Sequence, residues 1–125
     1  MNSRAEVRAI YTSDMDNLQT YTPRDPECFC VSVRAMVGPK GGEGEESFDI
    51  NVCTPKWLAE VCQREGFIVG RHYLILSSYD VAHIKRVIVE LIEKCEGNTW
   101  QEVTEKVSRI GYWEFEDYKP AAQSG

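Results

Sequence analysis

The sequence predicts an α+β fold, in which helices cover one face of a largely antiparallel sheet. Three observations lead there. Apolar and polar residues alternate through the first half of the chain, the pattern of strands with one buried face. Clusters of Gly and Pro separate these runs, as turns require. The second half changes to helical spacing, with end signals at both termini of its periodic segments.

The elements follow in the order βββαβααβ. "RAEVRAIYT" places Ala5, Val7, Ala9 and Tyr11 at every second position and reads as the first strand. "SDMDNLQTYTPRDPE" has no sustained period and reads as a long connection, pinned by Leu18 and Tyr21. "CFCVSVRAMVG" aligns Phe29, Val31, Val33, Ala35 and Val37, and "ESFDINVCT" aligns Phe48, Ile50 and Val52. The intervening "GPKGGEGEE" makes these two an antiparallel hairpin with a longish loop.

Thr54, Pro55 and Gly66 supply the N-cap, first turn and C-terminal stop of a helix whose inner face holds Trp57, Leu58, Val61 and Cys62. "FIVGRHYLILSSY" returns to the sheet. Asp80 caps a second helix with Val81, Ile84, Ile88, Leu91 and Cys95 on one face. Thr99 and Glu102 have capping-box spacing ahead of a third helix with Trp100, Val103, Val107 and Ile110 inward and Gly111 as its stop. In "YWEFEDY", Trp113 and Phe115 alternate with Tyr112, Glu114, Glu116 and Tyr118, which describes a final strand. Residues 1–125 are expected to form one domain, with 119–125 as a flexible tail.

Composition narrows the function. A formal charge of -6 opposes direct binding to nucleic acid, which requires clustered Lys and Arg. No apolar run approaches the ~18–20 residues of a membrane-spanning helix. Five cysteines cannot all pair, and "MNSRAEVRAI" has no apolar signal core, so a reducing cytoplasm is expected.

The candidates for chemistry are sparse. His72 and His83 are the only histidines, and Cys28-x-Cys30 has no second close pair, so no metal or other cofactor is expected. Cys53, Cys62 and Cys95 read as small core residues. A Cys28–His72 nucleophile pair would be a spatial arrangement without a surrounding motif. "GPKGGEGEES" lacks the Lys-Ser/Thr ending of a phosphate loop, and its glutamates would repel an anion. Glu114 and Glu116 share a strand face, as an acid–base pair would, yet two carboxylates on a terminal strand are more usually its solvated face.

"ESFDINVCTPKWL", "GRHYLIL" and above all "CEGNTWQEVTEKVSRIGYWEFEDY" resemble the immunity protein 8 family of bacterial polymorphic toxin systems. The resemblance runs from the first strand to Tyr118. It implies a non-enzymatic cytoplasmic antidote, encoded beside a secreted or contact-delivered toxin and protecting its producer by binding the toxin domain. Trp57, Gly97, Trp100, Gly111, Trp113 and Glu114 are its recognisable residues, and periodicity gives them a structural reading.

Many toxins of such systems are nucleases with basic clefts, and an acidic surface can occupy such a cleft while steering fast association. Two acidic runs are candidates for that contact: Glu43, Glu45, Glu46 and Asp49 at the hairpin, and Glu114, Glu116 and Asp117 near the C-terminus. Tyr112 and Tyr118 are the aromatic anchors that hot spots favour. The rival readings are a small ligand-binding or enzymatic domain using Cys28, His72 and Glu114, and an oligomerisation module with an exposed strand edge.

Overall fold

A computed structural model describes residues 2–12 and 21–114. Its elements are β1 (Ser3–Thr12), β2 (Cys30–Pro39), β3 (Glu46–Cys53), α1 (Pro55–Glu65), β4 (Tyr73–Ile75), α2 (Val81–Glu93), β5 (Glu96–Gly97), α3 (Trp100–Val107) and β6 (Tyr112–Trp113). The fold is α+β as expected, with β5 as an unforeseen addition between the last two helices. The sheet order is β4-β3-β2-β1-β5, and β6 pairs with β3. Among the described strands only β4 runs parallel to its neighbour, because α1 carries the chain back before β4 pairs with β3.

The hairpin of β2 and β3 sets the core. Val31 lies opposite Val52, Val33 opposite Ile50, and Ala35 opposite Phe48, so one row of apolar side chains faces inward. Ile84, Ile88 and Ile92 of α2, with Val103 and Val107 of α3, complete it and are wholly buried. Each such burial stabilises by roughly 1.5–3 kcal/mol over an exposed side chain. Leu91, expected inside α2, remains 38% exposed because the buried stripe runs through Ile92.

β1 departs from strict alternation. Its register on β2 shifts between Val7 and Ala9, so Val7 lies opposite Val37 but Ile10 lies opposite Ala35. Arg8 is the extra residue, and a bulge of one residue reverses the faces beyond it. Val7 and Ile10 therefore both pack on the core, whereas Ala9 is exposed. The even alternation through Ala9 and Tyr11 did not anticipate this change.

The helix ends follow the expected chemistry. Thr54 Oγ1 accepts from the Trp57 and Phe29 N–H groups at 3.4 and 3.2 Å, and Gly66 takes φ 89°. Asp80 accepts from the His83 N–H. Thr99 accepts from the Glu102 N–H, while the Glu102 carboxylate reaches back to the Asn98 N–H at 2.7 Å. α1 differs from expectation in its packing: none of its residues is buried, and Cys62 is exposed. The apolar run before β4 also stays outside the sheet, with Phe67 and Val69 69% and 70% exposed. Leu18 and Phe115 lie outside the described residues, as does the expected tail.

Candidate functional site

β6 brings part of the C-terminal acidic run onto the hairpin. It pairs antiparallel with β3, Phe48 against Trp113 and Asp49 against Tyr112. Neighbouring residues of a strand face opposite sides, so this register separates two environments. Inside, Trp113 stacks on Phe48 with centroids 6.3 Å apart. Outside, Tyr112 stands beside Asp49 and is 48% exposed.

Gly111 makes this approach possible. A Cβ there would lie 2.9 Å from Ile50 Cγ1 and 3.3 Å from the Asp49 carbonyl oxygen. Its role is this close contact with β3 and not the expected helix stop, since α3 already ends at Val107 with Ser108 as its C-cap.

Arg34 of β2 lies directly opposite Asp49 and donates from Nε and Nη2 to the two carboxylate oxygens at 2.8 and 3.0 Å. The guanidinium pKa is raised, first by its hydrogen bonding and charge attraction to Asp49, with Tyr11 and Glu114 adding smaller contributions. Asp49, Tyr11 and Glu114 thus act on one arginine on the outer face, with Tyr112 on the other side of Asp49. Arg34 is the member that charge-run reasoning missed; its cross-strand position opposite Asp49 is the signal that could have found it.

Glu46 belongs to the other face. It lies opposite Val37 in the inward row, and its two carboxylate oxygens accept from Trp100 Nε1 at 2.7 Å and Trp113 Nε1 at 2.9 Å. Of the four hairpin carboxylates, Glu46 and Asp49 are therefore engaged internally.

Glu43 and Glu45 are exposed at the turn, where Gly41 and Gly44 take φ 77° and 93°. The bulged Arg8 braces this turn by donating through Nη2 to the carbonyls of Pro39 and Gly42 at 2.8 and 2.9 Å. Because β6 is antiparallel to β3, the chain leaving Trp113 toward exposed Glu114 heads for the hairpin end. The register thus brings Glu114 toward the end of the sheet that carries Glu43 and Glu45. Among the described residues none of these three glutamates forms a salt bridge. Glu116, Asp117 and Tyr118 lie outside the described residues.

The remaining reactive groups are engaged with separate partners. Cys28 Sγ donates to Glu60 at 3.1 Å, and the Glu60 carboxylate, with burial, raises its pKa. His72 Nε2 lies 2.7 Å from the Ser108 carbonyl oxygen, so that nitrogen carries a proton and donates. Burial pushes the Cys53 thiol up to about 11. Among the described residues no group of three or more His, Cys, Asp or Glu side chains could hold a metal ion. No described helix is long and apolar enough to cross a membrane.

The immunity protein 8 family model matches residues 5–118, from within β1 through β6. The chain belongs to the immunity protein 8 family. This immunity protein is accordingly a component of a toxin–immunity system, and the family supports a non-enzymatic inhibitory role with a cognate toxin as partner. No curated protein and no solved structure matched the chain. The match extends through the segment that pairs β6 with β3, so the acidic sheet end is formed by residues within the family region.

Proposed function

We propose that this immunity protein neutralises its toxin in the cytoplasm by presenting the acidic end of its sheet to a basic toxin surface. The observation that carries this reading is the β6–β3 register, which directs Glu114 toward the turn bearing Glu43 and Glu45 and sets Tyr112 beside Asp49. A nuclease domain, with a cleft built for phosphate, fits such a surface best. Carboxylates occupying the cleft compete with substrate, and their field accelerates encounter. Tyr112 supplies aromatic contact area. Glu116, Asp117 and Tyr118 extend the contact along the chain, while Glu46 and Asp49 hold it in shape from within.

The test is co-purification with the toxin domain encoded by the adjacent gene, followed by association kinetics over a range of salt concentrations. Wild type forms a stoichiometric inhibitory complex. E43K/E45K/E114K lowers the association rate at low salt by on the order of tenfold or more and flattens its salt dependence. An unchanged rate and salt slope in the folded triple variant would refute the acidic-end assignment. Absence of any complex with wild type would refute the pairing with that toxin.

A further inference from the structure

A cleft of about 260 Å³ lies between β3, α2 and the segment leading into β4. Ile50, Leu74, Ile88 and Ile110 form its apolar walls, and Leu91 and Arg109 also border it. His72 lines it at φ 63°, a left-handed backbone conformation uncommon outside glycine. Such conformations persist only where surrounding contacts impose them, and they concentrate at ligand clamps and binding sites. Here the ring donates from Nε2 to the Ser108 carbonyl and meets Tyr112 edge-on at 5.9 Å.

We propose that this cleft is a second docking point, which receives one large apolar side chain with an adjacent carboxylate from a protein partner. Size favours a side chain over a metabolite, because pockets for whole small molecules usually span ~300–1,000 Å³. The surroundings favour a protein surface. Phe67 and Val69 precede Gly70 of the cleft lining, and with Leu91 they expose apolar area beyond the cavity itself.

Charge selects the carboxylate. Arg109 is exposed and has no salt-bridge partner among the described residues, and exposed Arg71 lies between cleft residues Gly70 and His72. This basic locus contrasts with the chain's net charge of -6 and with the glutamates at the hairpin. An apolar anchor seated against half-buried Leu74 and Ile110 would place a neighbouring carboxylate within reach of the Arg109 guanidinium, which binds carboxylates strongly and directionally.

The test is an amide chemical-shift titration of the full chain with two probes. N-acetyltryptophan presents an aromatic body and a carboxylate, and N-acetyltryptophanamide presents the same body without the charge. Saturable shifts at Gly70, His72, Leu91 and Arg109 are expected with the acid, and affinity about tenfold weaker with the amide, the scale of one charge-assisted contact. R109E, at an exposed position, reduces acid binding by a similar factor, whereas E43K leaves it unchanged. The proposal is overturned if the acid gives no saturable shifts at the cleft, if the two probes bind equally, or if folded R109E binds the acid like wild type. No toxin is involved, so this result and the fate of the acidic-end reading are independent.

Discussion

A carboxylate in the core-facing row of a strand is tolerated only when its oxygens are satisfied, and at Glu46 two indole N–H groups do this. Removing the carboxylate takes a hydrogen bond from each of these half-buried indoles, at a cost of about 0.5–1.5 kcal/mol apiece. E46A should therefore lower the urea midpoint and alter tryptophan emission, and E46Q, which retains one acceptor oxygen, should fall between it and wild type. A wild-type midpoint in E46A would refute the bracket. Cys53 offers a test through pH. Its thiol is held at about 11 against an ordinary 9.0, so the folded chain keeps a proton that the unfolded chain loses first. Its contribution is complete below about pH 9, declines as pH rises through the interval and is lost above about 11. Comparing denaturation midpoints of wild type and C53A at pH 8 and pH 10.5 should show a steeper decline in wild type; parallel declines would contradict this. Exposed Cys62 should also react with a thiol reagent in the native state while Cys53 requires unfolding.

The elements differ in how far local chemistry determines them. Gly111 is the clearest case of a residue fixed by its neighbours. G111A should destabilise by about 1–3 kcal/mol, because a methyl group must displace β3 or β6, and amide exchange at Tyr112 should accelerate. Unaltered stability and exchange would show that the two strands can separate freely. The caps at Thr54, Asp80 and Thr99 were legible because a cap is a local contract between residues three positions apart. The bulge at Arg8 was not, since alternation carries no mark of where a register slips. β5 has only two residues, too few to show a period. The acidic runs were visible as composition, but their division into Glu46 inside, Asp49 paired and Glu43 exposed depends on which strand lies opposite. α1 had the spacing of a buried helix yet buries no residue, because spacing defines a face and tertiary contacts decide whether it is covered.

At the scale of the whole molecule, chain order and spatial order diverge. β2 and β3 are joined by a short turn and form a local hairpin, whereas β6 reaches the same strand from the far end of the family region. Synthesis proceeds at about 5–20 residues per second, so the ribosome makes the hairpin seconds before the strand that covers its outer edge. During that interval Phe48 has no Trp113 above it, and Tyr112 has yet to arrive beside Asp49. Loop closure over such a separation is also the slower kind of folding event. The proposed toxin-facing surface is thus completed late in the maturation of each molecule. A producing cell would gain protection only after a delay set by translation and folding, and a standing stock of finished antidote would matter more to it than a rapid burst of new synthesis.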